Sequence, residues 1–182
     1  MSKYLHGLCA SGISGNMMIG ALLNYGVPFD YFKKSLTPLN LSGFSLIHEQ
    51  REKMGVEGTY FDVKLKGKGH GHAHVHTHDG IHFHTHAHGE RRNYPEIKAL
   101  IEAAPLSDWV KEKALTAFLN LGMAEAKVHN TTLDEVHFHE VGAIDCIINI
   151  VGTMICLEYL DVTGIIFCLL YTSPSPRDMR RS

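Results

Sequence analysis

The stretch YLHGLCASGISGNMMIGALLNY, residues 4–25, decides the fold. Tyr4 to Cys9 predicts a short strand, and the apolar spacing from Met17 to Tyr25 predicts a helix. A glycine-rich loop joins the two. A strand that passes through such a loop into a helix is typical of α/β domains. We therefore expect an α/β fold with a mixed small sheet, flanking helices and one insertion described below.

The loop between the strand and the helix is a candidate anion site. Glycines let backbone N–H groups approach a phosphate, and the following helix adds the positive end of its dipole. The loop lacks the lysine of a P-loop and the full GxGxxG spacing, so an ordinary strand-to-helix turn explains it equally well. The candidate cofactor-binding residues are Ser11, Gly12, Ser14, Gly15 and Asn16.

Local patterns predict the remaining elements. Gly26 and Pro28 end the first helix and begin a second, and segments with period two on both sides of Met54-Gly55 predict two strands. Further helices are predicted at 94–103, after Ser107, and at 143–160, with a last strand at 165–170. The helix after Ser107 carries an apolar stripe formed by Val110, Ala114, Ala117, Phe118, Leu121, Ala124 and Val128.

The insertion is a histidine-rich segment between Gly69 and Gly89. Its nine alternating histidines are His70, His72, His74, His76, His78, His82, His84, His86 and His88. Imidazole is a common ligand of nickel, copper and zinc, so the segment is a candidate metal-binding region. In a hairpin at Asp79-Gly80, a three-residue loop would pair the two histidine rows, and a two-residue turn would separate them. The low apolar content favours a disordered loop in the absence of metal.

A second set of candidate ligands lies in a short window between two predicted helices. It comprises His137, His139, Glu140 and Asp145, with His129 upstream. Two histidines and two carboxylates suit a divalent metal, and the imidazoles at 137 and 139 share a face if the segment is extended. The structural alternative is a helix junction at which both histidines bond backbone groups. We take His137, His139 and Glu140 as the candidate catalytic residues.

Composition limits the class of protein. The 182 residues are 45% hydrophobic, with a formal net charge of −2 and no basic block, so we expect neither a nucleic-acid nor a membrane partner. The four cysteines are scattered and no leader opens the chain, which favours a reducing cytoplasm. Polar residues interrupt the apolar stretch 144–160, which indicates a buried helix. A homo-oligomer is compatible with this composition.

Taken together, SGISGNM at 11–17, the histidine-rich loop, EAKVH at 125–129 and HFHEVGAID at 137–145 resemble the LarC-type nickel insertion proteins. The resemblance covers about residues 3–166. It implies insertion of Ni²⁺ into pyridinium-3,5-bisthiocarboxylic acid mononucleotide, which makes the nickel-pincer nucleotide cofactor of lactate racemase. It also implies dependence on CTP with Mg²⁺ or Mn²⁺, at a site that we expect in a C-terminal half of the family not represented here. Such an N-terminal part would bind nickel without completing the reaction.

The sequence departs from the family pattern at several positions. Leu8, Asn16 and Asn149 stand where the family often has Asp, and Cys146 stands where Ser is usual, so metal binding near these loops would be weaker. The last residues, CLLYTSPSPRDMRRS at 168–182, resemble translated vector sequence or a disordered tail. The expected organisation is an N-terminal α/β part (1–66), the histidine-rich loop (67–92), a helical part of the same domain (93–167) and the tail (168–182).

Two other functions are compatible with the same residues. The histidine-rich segment alone would suffice for a non-enzymatic nickel or zinc store or a metallochaperone. The glycine loop alone would suit a nucleotide-binding regulatory module. The number of metals bound per chain, and whether His137 and Glu140 affect binding, would separate storage from insertion.

Overall fold

The computed structural model describes residues 2–9, 12–66, 92–136, 138 and 142–168. The helices in this part of the chain are α1 (Gly15–Tyr25), α2 (Phe29–Leu36), α3 (Tyr94–Ala103), α4 (Asp108–His129) and α5 (Ile144–Tyr159). The strands are β1 (Tyr4–Gly7), β2 (Phe44–Lys53), β3 (Val56–Leu65) and β4 (Gly164–Phe167). None of these helices is long and apolar enough to cross a membrane.

The strands pair in two ways. β1 lies parallel to β4, with Tyr4 opposite Gly164, and β2 lies antiparallel to β3, with Phe44 opposite Leu65. The predicted α/β class, with small sheets and flanking helices, is confirmed. The parallel and antiparallel pairs form separate two-stranded sheets within the described residues. The histidine-rich insertion lies outside those residues.

One hydrophobic core joins the parts of the chain that precede and follow the insertion. Phe32 of α2 packs edge-on against Phe61 of β3, with ring centroids 5.4 Å apart. Phe118 of α4 and Ile147 of α5 are fully buried in the same cluster. Gly152 lets α5 approach this centre, because a Cβ there would lie 2.8 Å from the Phe32 ring. The core therefore fixes α5 and β3 relative to α1 and α2.

Helix boundaries follow the local signals in the sequence. α3 has the predicted bounds, and Asn93 and Glu96 form a capping box at its start. The Ser107 side chain accepts a hydrogen bond from the backbone N–H of Val110, which confirms the predicted cap of α4. These signals act within a few residues, so they are readable without tertiary contacts.

The predicted apolar stripe of α4 is wrong in its second half. Leu121 and Val128 are 39% and 77% exposed. The buried positions follow four-residue steps through Val110, Ala114, Phe118, Gly122 and Ala126. Gly122 lets the segment after α4 pack closely against this line. A Cβ at position 122 would lie 2.6 Å from Leu133 and 3.3 Å from Phe138.

Candidate functional site

The loop that begins α1 is held by its own backbone. Gly12 has φ +87°, a conformation that side-chain-bearing residues rarely adopt, and its N–H donates to the Cys9 carbonyl over 3.0 Å. The Ser14 hydroxyl accepts from the Met17 N–H over 3.2 Å and caps the helix. Two of the predicted cofactor-binding residues thus have structural roles already, and Ser11 lies outside the described residues.

Gly15 is the point at which α1 meets α5. A Cβ at this position would lie 2.7 Å from both Cβ and Cγ of Asn149. This distance is shorter than carbon atoms tolerate, so the close approach of α5 requires glycine here. The Asn149 amide oxygen is buried and has no hydrogen-bond partner within the described part of the chain.

Asn16 ties the start of α1 to β3. Its Nδ2 donates to Asp62 Oδ1 over 2.8 Å, and its own amide oxygen is buried without a partner among the described residues. Asp62 also accepts from the Val63 N–H over 2.9 Å and from the Tyr60 hydroxyl over 3.0 Å. The hydrogen bond to Asp62 raises the pKa of Tyr60. The sequence analysis did not predict Asp62, although an acidic residue between two buried strand residues was a signal for such a role.

The predicted ligand Asp145 lies in the first turn of α5. It precedes Asn149 by four residues, so both lie on one face of the helix about 6 Å apart along its axis. The neighbouring Cys146 is half-buried, and burial, followed by the Asp145 carboxylate, raises the pKa of its thiol to about 11. The thiol is therefore protonated at neutral pH in the absence of a metal ion.

The run that contains His137, His139 and Glu140 lies outside the described residues, but the residues around it are well anchored. Val136 and Phe138 are buried. Gly142 lies so close to the backbone of Arg92 that a Cβ would overlap it. Arg92 is the first described residue after the histidine-rich segment, which itself lies outside the described residues. The described ends of the two candidate metal-binding segments therefore touch.

The remaining predicted ligand, His129, lies in the last turn of α4. Its Nε2 is 3.8 Å from Glu125 Oε1, one turn earlier, and its side chain is about half exposed. Among the described residues, no group of three or more His, Cys, Asp or Glu side chains could hold a metal ion. The structure thus brings Gly15 against α5 and Asn16 against β3, and leaves the completeness of the predicted ligand set untested.

The chain is similar to several known proteins. A family model described as nickel insertion protein matches residues 5–174. The pyridinium-3,5-bisthiocarboxylic acid mononucleotide nickel insertion protein of Alkaliphilus metalliredigens is 41% identical over 94% of this chain and 40% of its own length. The proteins of the same name from Clostridium kluyveri and Lactiplantibacillus plantarum are 44% and 43% identical, over 90% and 85% of this chain. The chain covers 39% and 37% of their lengths. No solved structure matches.

Proposed function

Because this chain belongs to the nickel insertion protein family, we propose that it is the N-terminal part of an enzyme that inserts nickel into pyridinium-3,5-bisthiocarboxylic acid mononucleotide. The product is the nickel-pincer nucleotide cofactor of lactate racemase. The observation that carries this proposal is the family match over residues 5–174, together with the relatives that bear this name. The chain spans about 40% of such a relative, so the complete reaction, of the metal chelatase type of lyase, belongs to the longer family protein.

In the proposed first step, the nine alternating histidines capture nickel. Binding occurs through neutral imidazole, so imidazolium groups lose their protons when the metal binds. Contact between Arg92 and Gly142 supports delivery to the neighbouring run. His88 precedes Arg92 by four residues, a reach of at most about 14 Å, and Glu140 precedes Gly142 by two, about 7 Å. These chain lengths limit how far the last histidine of the segment can lie from the proposed receiving site.

In the proposed second step, nickel passes to His137, His139 and Glu140, with Asp145 on the adjacent turn of α5. In an extended segment the two imidazoles would lie opposite the buried side chains of Val136 and Phe138, and Glu140 would face away from the imidazoles, so a site that uses all three ligands needs a turn after position 139. Nickel accepts both nitrogen and sulfur ligands, so the thiocarboxylate sulfurs of the substrate replace the imidazoles as the metal moves.

The loop before α1 is the proposed binding site of the mononucleotide. Backbone N–H groups between Gly12 and Gly15 would donate to its phosphate, as helix N-termini commonly do. The buried amide oxygen of Asn16 is an acceptor, which suits a ribose hydroxyl better than a phosphate oxygen. Ser11 completes this proposed set.

We assign the binding site for CTP with Mg²⁺ or Mn²⁺ to the part of the family's polypeptide that this chain does not represent. These hard cations need several oxygen ligands, usually carboxylates together with the substrate phosphates. The described residues contain no cluster of three or more potential metal-ligand side chains that would indicate such a site. We therefore derive no step through CTP for this chain.

Nickel titration by calorimetry tests the capture step. Replacing the nine histidines of residues 70–88 by Ala should remove most of the nickel bound per chain, because their imidazoles are the proposed ligands. His6→Ala removes one exposed histidine outside the segment and serves as the control. An unchanged titration in the nine-histidine variant would contradict the capture role.

The insertion site is tested with His137→Ala and Glu140→Gln. We expect each variant to keep the nickel bound by the histidine-rich segment and to lose one tighter site. Several weakly held metals per chain, unaffected by either substitution, would instead support the storage protein.

A further inference from the structure

A cavity of about 530 Å³ lies between β1 and α1, and Ile165 and Phe167 of β4 also line it. Its floor is β1 itself, and its wall is the side of α1 that carries Met17, Ala21 and Tyr25. Most of the lining is apolar, and His6 is its one imidazole. The proposed nickel ligands are not among the lining residues, but Gly12 of the loop proposed to bind the mononucleotide is.

The backbone of β1 has hydrogen-bonding groups on the cavity side. The carbonyls of Lys3 and Gly7 accept from the N–H groups of Thr163 and Cys168 over 2.7 and 3.1 Å, so β4 occupies the opposite edge. In a strand, successive backbone groups alternate between the two edges. The N–H and C=O groups of Tyr4, His6 and Leu8 therefore point to the edge of β1 opposite β4, and all three residues line the cavity. Within the described ranges, no strand other than β4 pairs with β1.

Apolar side chains are exposed along the same edge. Leu8 is 78% exposed, Tyr25 60% and Met17 55%. Parallel sheets in α/β proteins are normally covered and contain more than two strands, because two strands alone bury too little apolar surface to be stable. The edge of β1 thus combines an apolar groove with a row of main-chain donors and acceptors.

We propose that this cavity receives an extended strand from the portion of the family's polypeptide that this chain does not represent, and that this strand pairs with the free edge of β1. A strand fits for two reasons. Its main chain would form hydrogen bonds with the N–H and C=O groups on this edge of β1, and its side chains would fill the apolar groove, as in β-augmentation. About 60% of the length of the relatives from Alkaliphilus and Clostridium lies outside the matched region, which supplies such a segment. The proposal rests on family membership and is independent of the nickel chemistry.

Hydrogen exchange followed by NMR tests the pairing. Residues 1–168 are fused to the unmatched portion of the Clostridium kluyveri relative, and the fusion is compared with the chain alone. The amides of Tyr4, His6 and Leu8 should exchange at least tenfold more slowly in the fusion, because a strand hydrogen bond must open first. The hairpin turn at residues 53–56 is exposed and provides an internal control that should not change.

A matched pair of variants tests the groove. Met17 and Met123 are 55% and 54% exposed on α1 and α4, and Met17 alone of the two lines the cavity. In the fusion, Met17→Lys should return the exchange of the β1 amides to that of the chain alone, whereas Met123→Lys should leave it slow. Circular dichroism of both variants checks that they are folded.

Three results would overturn the proposal. Equal exchange of these amides in the fusion and in the chain alone would show that no strand pairs with them. Protection that rises with the concentration of the chain alone would assign the edge to a second copy. Protection of the chain alone on adding nicotinamide mononucleotide, used as a pyridinium probe, would assign the cavity to a small ligand.

Discussion

At the scale of single residues, the glycine before α1 and the glycine that begins it are required for different reasons. The sequence does not distinguish these reasons. Gly12 is required by its positive φ, and Gly15 by the Asn149 side chain of a helix more than a hundred residues away in sequence. Both were predicted as cofactor-binding residues because a glycine loop before a helix suits an anion. The structure adds a packing role for Gly15, which does not depend on any ligand.

Gly15→Ala should destabilise the protein by about 1–3 kcal/mol, the usual cost of forcing extra carbon into a close-packed contact. Urea unfolding without ligand measures the change. Gly58→Ala is the control, since a Cβ there meets no atom within 4 Å, and its effect should be under about 1 kcal/mol. Equal stability of Gly15→Ala and the unmodified chain would show that this glycine serves ligand approach alone.

At the scale of elements, local sequence signals predicted where the helices begin and end better than they predicted which helix faces are buried. The bounds of α3 follow from Pro95 and the capping residues, which act through neighbouring backbone groups. The buried line of α4 depends on which segment packs against it. Gly122 lies under Phe138, and no property of the α4 sequence by itself indicates that contact.

Asn93→Ala should destabilise α3, and with it the protein, by about 1 kcal/mol, because the Glu96 N–H loses its side-chain acceptor. Thermal unfolding of the described fold measures this loss. Glu96→Gln is the matched control, since glutamine also closes a capping box, and it should change stability by less than half as much. If both variants unfold like the original chain, the capping box does not determine where α3 begins.

At the scale of the whole molecule, the described ends of the two candidate metal-binding segments meet at Arg92 and Gly142. The sequence alone does not indicate this contact, because about fifty residues lie between Arg92 and Gly142. The contact supports a path from the histidine-rich segment to the run at 137–140. The chain nevertheless represents about 40% of the length of a relative, so we expect the complete activity to require more polypeptide.

The chain alone, incubated with Ni²⁺, the pyridinium mononucleotide substrate, CTP and Mg²⁺, should bind nickel and form little nickelated product. Adding the unmatched portion of the Clostridium kluyveri relative, or fusing it, should raise product formation by at least a hundredfold, because the proposed CTP site lies there. Mass spectrometry of the nucleotide measures the product. Full activity of the chain alone would contradict the proposal that the CTP site lies in the unmatched portion of the relative.

The sequence by itself determined the α/β class, the helix boundaries and the family, because capping, periodicity and the HFHEVGAID motif are local properties. Only the tertiary structure decided that Asn149 meets Gly15, that Asn16 bonds Asp62, and that one edge of β1 borders an apolar cavity. These features depend on contacts between residues far apart in the chain. Such contacts arise from the way whole elements exclude water and fit together, and no local pattern encodes them.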